Sequence, residues 1–218
     1  MDLLEEGEQW EALKAWFREN GLAIVAGALI GVIGLFGWRW WTSHSEAQHL
    51  AASEAYEKLL SRAEGSNLDT ALKDLEQFQK DYAGSAYAAP AQLAVARIHV
   101  AKDELDKAAA DLRAVADTAK DPQLRTVATL RLARVQIAQG KPDDAIKTLG
   151  TGDAGAFQSA FSEVRGDALQ AKGDATAALR EYEAAKTARA AAVVSGGEAA
   201  GAEGDLLDLK INDLKSAP

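Results

Sequence analysis

LRLARVQIAQGKPDDAIKTL, residues Leu130–Leu149, decides how this chain folds, because it recurs twice more in altered form. LAVARIHVAKDELDKAAADL (Leu93–Leu112) precedes it by 37 residues, and EVRGDALQAKGDATAALREY (Glu163–Tyr182) follows it by 33. In that register Ala96, Ala133 and Gly166 share one position, and Ala108, Ala145 and Ala178 share another. Leu112, Leu149 and Tyr182 close each copy. A small residue in a first helix lets a second helix cross closely. Gly140 and Gly173 supply the left-handed conformation that ends the first helix. The small residue of the second helix packs back, and the large residue one turn later seals the pair.

These helix–turn–helix units resemble the tetratricopeptide repeat, which spans about 34 residues with small residues at fixed places. A further copy over Ser45–Ala63 and Leu68–Asp81 keeps Ala71 and Leu75 in register, although its first helix matches less well. Stacked pairs form an α-solenoid with a groove suited to a peptide or a partner's segment. First-helix positions give its expected lining: Leu93, Arg97, Val100, Leu130, Arg134, Ile137 and Asp167. Arg97 and Arg134 could receive carboxylates; the competing reading is a solvated helix face or an ion pair within the chain. The repeat domain is expected over residues 42–189, a Gly/Ala-rich linker over 190–204 and a capping helix over 205–218, with a partner-binding tail as the alternative for the last.

Upstream, Asn20–Trp38 carries no charge. As a helix it spans about 28 Å, close to the hydrocarbon thickness of a bilayer. An acidic leader and the exit Gly37-Trp38-Arg39-Trp40-Trp41 argue against a cleaved signal peptide. Trp16 at one end and Trp38, Trp40 and Trp41 at the other suit the two membrane interfaces, which disfavours a buried core helix. A transmembrane signal anchor over residues 20–41 is the expectation. Residues 1–19 form an amphipathic arm with Trp10, Leu13 and Phe17 on one face, resting on lipid headgroups or docking a cytosolic partner. Lys14, Arg18 and the amino terminus outweigh Arg39 and the next basic residue, Lys58, by about one charge, which places the arm in the cytoplasm. Ala23, Gly27 and Gly31 share a helix face that either packs on another membrane helix or reflects the abundance of small residues in such spans.

A formal charge of −9 disfavours nucleic acid as a partner. The chain has no cysteine. His44, His49 and His99 lack metal-ligand spacing, and no serine sits in a strand–turn–helix elbow. No catalytic, metal-binding or cofactor-binding residue is expected, so the chain reads as non-enzymatic. Its fold class is all-α: one N-terminal transmembrane helix followed by a tetratricopeptide-like α-solenoid.

The order of parts carries a closer likeness. An acidic Trp/Phe arm leads into a Gly-rich span ending GWRWW, then SHSEAQHLAASEAYEKLL, LRLARVQIAQGKPDDAIKTL, RGDALQAKGDATAAL and a terminal LKINDL. Together these closely resemble the YfgM family, the ancillary subunit of the bacterial SecYEG translocon. The Gly/Ala stretch near 190–204 is where the chain departs from that pattern. The resemblance implies a single-pass inner-membrane protein with a cytoplasmic N-terminus and a periplasmic repeat domain. It implies association with the translocon and with PpiD, a periplasmic chaperone, and help in passing nascent or unfolded secretory polypeptides to periplasmic chaperones. Membrane lipid is then the surrounding of the anchor. The alternative is a regulator of an envelope stress response acting through the cytoplasmic arm.

Overall fold

The computed structural model describes residues 2–63, 68–152, 154–194 and 201–216, and within 2–63, 193–194 and 201–205 the backbone alone is described for many residues. The described residues contain helices and turns and no strand. They fall into two compact units, residues 1–53 and 54–218.

The first unit lies wholly within helix α1 (Asp2–Ala63). Asn20–Trp40 is long and apolar enough to cross a membrane, with a mean hydropathy of 2.1. Leu22, Ile30, Ile33, Leu35 and Phe36 are all exposed, on a broad face beside the small-residue strip of Gly27 and Gly31. Exposed apolar side chains over that length are what a membrane-spanning helix carries. Trp16, Trp38 and Trp40 are exposed near its ends, while the side chains of Ala23 and Trp41 lie outside the described residues. Gly27 and Gly31 have nothing within 4 Å of where a Cβ would stand.

The second unit is a stack of helix pairs. The end of α1 is followed by α2 (Leu68–Asp81). Then come α3 (Ala88–Ala101) with α4 (Leu105–Thr118), α5 (Pro122–Ala138) with α6 (Pro142–Leu149), and α7 (Gln158–Ala171) with α8 (Ala175–Val194). Helix α9 (Gly201–Ser216) ends the chain. The Ala-rich run 190–194, expected to open a linker, continues α8 instead; Ala favours the helix more than any other residue.

The three pairs that begin with α3, α5 and α7 turn the same way. Each first helix ends with an N–H to C=O bond spanning five residues: Glu104 to His99, Lys141 to Gln136 and Asp174 to Leu169. This Schellman closure requires a left-handed residue, and Gly140 (φ 72°) and Gly173 (φ 84°) supply it. In the first copy Asp103 takes that conformation, with φ 58°. The small positions are fully packed: Ala96, Ala133, Ala108, Ala145 and Ala178 are buried, as is Gly166.

Three apolar clusters run along the stack. Leu59, Leu75, Phe78 and Ile98 bind the first pair to α3. Leu93, Ala108, Leu112 and Leu132 join the second pair to α5. Leu130, Ala145, Leu149, Phe161 and Val164 join the third pair to α7. A fourth cluster, Ala178, Tyr182, Ala185, Leu207 and Ile211, seats α9 on α8.

Candidate partner-binding surface

The first helices α3, α5 and α7 present equivalent positions in a row, and the seven expected groove residues divide by depth. Arg97 and Arg134 are exposed at the same repeat position, and no ion pair engages either among the described residues. Val100 is 44% exposed, and its equivalent Ile137 is half-buried against the cluster of α5, α6 and α7. Leu93 and Leu130, by contrast, are core residues: each packs its first helix against the next pair. Periodicity places them on the face of Arg97 and Arg134, but the inner edge of that face is where the following first helix lies.

The same position in the last pair is Glu163, and here the neighbour is α9. Lys210 of α9 donates to Glu163 Oε1 at 2.9 Å and to Asp167 Oδ1 at 2.7 Å. The Tyr182 hydroxyl, deep in the pair, also donates to Asp167 at 2.8 Å, and the Gln170 side-chain amide lies 2.8 Å away. Asp167, expected in an open groove, is therefore engaged from both sides. Burial, then the hydrogen bond to Asp167, pushes the Tyr182 phenol far above its ordinary pKa. Burial alone would lower Lys210, but its bonds to Asp167 and Glu163 outweigh that and hold its pKa above the usual lysine value.

The last pair also shows why a glycine stands at Gly166. A Cβ there would lie 2.5 Å from Tyr182 Cε1. Where the earlier copies use Ala with Leu, this one uses Gly with Tyr, keeping the volume of the crossing while adding a hydroxyl that reaches Asp167.

A second row runs along the starts of the second helices. Asp69, Asp106 and Asp143 repeat every 37 residues at the starts of α2, α4 and α6. Each is met by the residue that closes the next first helix. Lys102 Nζ donates to Asp69, Gln139 Nε2 to Asp106 at 2.8 Å, and Lys172 Nζ to Asp143 at 2.6 Å. The hydrogen-bonded ammonium groups hold Asp69 and Asp143 below the usual carboxylate range. The row clips each pair to the one after it.

His99 is buried, with Nδ1 2.6 Å from Asp111 Oδ2, so it belongs to the packing of α3 on α4. The His44 and His49 side chains lie outside the described residues. Among the described residues no group of His, Cys, Asp and Glu could hold a metal ion.

Comparison with known proteins fits this architecture. The family model of the tetratricopeptide repeat-like domain matches residues 14–216. The ancillary SecYEG translocon subunit of Escherichia coli K12 is 36% identical over 216 residues, 98% of this chain and 99% of that protein. The protein of that name from Haemophilus influenzae is 32% identical over 183 residues, 84% of this chain and 89% of its own. The one from Aggregatibacter actinomycetemcomitans is 32% identical over 212 residues, covering 97% and 98%. No solved structure matches the chain.

Proposed function

The chain belongs to the family of ancillary SecYEG translocon subunits, and from that premise we propose that it is a non-enzymatic, membrane-anchored adaptor of the translocon. The observation that carries this reading is the extent of the similarity: it runs through the anchor and the repeats alike, 98% of the chain. The apolar segment Asn20–Trp40 holds the protein in the inner membrane, with residues 1–19 in the cytoplasm and the repeats in the periplasm. Trp16, Trp38, Trp40 and Trp41 mark the interfaces, and the Ala23, Gly27 and Gly31 face is the contact for a membrane helix of the translocon. Tethering raises the effective concentration of the repeat surface near emerging polypeptides and near a periplasmic chaperone such as PpiD.

On the repeats, Arg97, Arg134, Val100 and Ile137 form the partner-facing row. Exposed guanidinium groups beside half-buried aliphatic side chains suit a partner segment that pairs carboxylates with apolar residues. The test is purification of the tagged full chain in mild detergent. Co-purification of the translocon and the chaperone is expected, and charge reversal of both Arg97 and Arg134 to Glu should weaken chaperone crosslinking while leaving the translocon bound. If neither partner co-purifies, the adaptor reading fails; if the double reversal leaves crosslinking intact, the arginine row is wrong.

A further inference from the structure

Two junctions between successive pairs each leave a cleft at the edge where one pair connects to the next. Gln79, Ala88, Gln92 and Leu124 line the first, of about 470 Å³. Ala116, Arg125, Thr129 and Phe161 line the next, of about 390 Å³. Each residue of the second set lies 37 positions after its counterpart in the first, so the two clefts are one repeat feature seen twice.

What differs is the side chain at the start of the first helix. In the second cleft Arg125 Nη1 turns back and donates to the carbonyls of Ala119 (2.7 Å) and Lys120 (3.2 Å), in the connector that ends α4. In the following repeat the same position, 33 residues on, is Gln158, whose Oε1 accepts from the connector N–H of Ala154 at 3.0 Å. Two of three copies thus satisfy the connector with their own polar side chain. The first copy has Ala88, which can satisfy nothing. The connector carbonyls in that register belong to Tyr82, which accepts from the Ser85 N–H at 2.9 Å, and to Ala83, which lines the cleft.

The first cleft also holds a polar atom in want of a partner. Ser85 Oγ is buried and makes no hydrogen bond. Such an atom is costly to leave unpaired and favours anything that fills the space and bonds to it. The walls around it are short and apolar: Ala83, Ala86, Ala89, Ala114 and Val115. Beneath, the Gln79 amide donates to Gln92, which donates to Asp111 at 2.6 Å, so the floor is a fixed polar chain. Lys120 and Asp121 stand together at the rim.

We infer that this cleft, between the α2–α3 and α4–α5 connectors, receives an arginine side chain from an extended segment of a partner polypeptide. The incoming guanidinium takes the place that Arg125 fills one repeat later, donating to the Ala83 carbonyl and to Ser85 Oγ. The alanine walls admit its methylene stem and the flanking backbone. The site is separate from the Arg97 and Arg134 row, and it stands whether or not the translocon association does.

The test uses the full chain in detergent and a capped peptide carrying one arginine beside a benzophenone, with a citrulline twin. Photolabelling should map to residues 79–92 and 114–124, with the arginine peptide favoured about tenfold, as loss of one charge-assisted hydrogen bond implies. Ala88→Arg should plug the cleft from within, abolishing labelling and raising the melting midpoint. Ala114→Leu, an exposed helix position on the opposite wall, should narrow the cleft and cut labelling with an unchanged circular dichroism spectrum, and it decides the matter if Ala88→Arg does not fold. Equal labelling by the citrulline twin, labelling that survives Ala114→Leu, or labels that map to the Arg97 and Arg134 row would overturn the assignment.

Discussion

The junction of the α5–α6 pair with α7 and the junction of the α7–α8 pair with α9 are built on the same plan and held together differently. In the first, Leu130, Leu149, Phe161 and Val164 meet without a charge among them, and the Lys172–Asp143 pair lies at the exposed rim. In the second, Glu163 replaces the leucine, Lys210 arrives from α9, and Leu207 and Ile211 supply the apolar part. Lys186 to Asp208 at 2.6 Å and Lys215 to Glu183 at 2.8 Å add exposed pairs along the rim of the second junction. An interior junction is covered on both sides and gains most from apolar area. A terminal helix has water on its outer face, and a stack that ended on a leucine row would be an open invitation to add another repeat. Charge at the last junction suits α9 to the role of closing element, and α9 is expected to release more readily than an interior helix.

The sharpest way to break this comparison is Phe161→Ala in the interior junction. Removing a buried ring should cost about 3–5 kcal/mol, lowering the urea midpoint of the whole repeat body rather than of one helix. If the rest of the stack keeps its midpoint, the junctions are not cooperative and the comparison loses its basis.

Gly166→Ala should follow, at about 1–3 kcal/mol, because the new methyl group meets the Tyr182 ring. Adding Tyr182→Leu recreates the Ala/Leu pairing of the earlier copies and should recover part of the loss. Recovery must be incomplete, since Asp167 then loses the hydroxyl; full recovery would show that the bond from Tyr182 contributes nothing.

Lys210→Met should cost about 1–2 kcal/mol, since it leaves two carboxylates facing an apolar side chain. The effect should be local to α9. A nitroxide on Leu209→Cys, the one cysteine in the labelled chain, would report it as increased mobility. The same label gives the pH dependence. Because the folded pKa of Lys210 is raised, its stabilisation is present below the ordinary lysine range and is lost as pH rises through the folded value. Alkaline pH above about 10.5 should therefore loosen α9 while the interior junctions hold. A label whose mobility stays constant across that range would mean that burial of Leu207 and Ile211 alone holds the helix.

The smallest expected effect separates the turns. Asp103→Gly should stabilise by about 1 kcal/mol, and Gly140→Ala should cost about as much, by relief or imposition of left-handed strain. Thermal melts of the two variants should move in opposite directions. A destabilised Asp103→Gly would mean that the aspartate side chain contributes more to its turn than the strain costs.

Much of the body could be read before any coordinates. The 37- and 33-residue offsets bring Ala96, Ala133 and Gly166 into one position, and a position that stays small across copies fixes where helices cross. Gly140 and Gly173 then fix where they turn. The partner surface was less legible. Arg97 and Leu93 lie one helical turn apart, and periodicity assigns both to one face; only the packing of α5 on α3 shows that Leu93 lies under it and Arg97 outside. Asp69, Asp106 and Asp143 carry a periodic signal as clear as that of the alanines. Their partners Lys102, Gln139 and Lys172 differ in chemistry, so the clip is invisible until the helix ends are seen side by side.

By itself the sequence determined that the chain is helical, that one segment is too apolar for water, and that the rest repeats. Those properties live in residue type and local spacing, which the one-dimensional order records directly. Only the tertiary structure decided which charges are engaged and which are open. Glu163, Asp167 and Lys210 are separated by more than forty residues at the widest and meet only because α9 lies where another repeat would have stacked. Ala88 acquires meaning only beside Arg125 and Gln158, once the connectors they serve have been brought into line. Contacts of that kind depend on which surfaces the stack brings together, and no spacing along the chain encodes them.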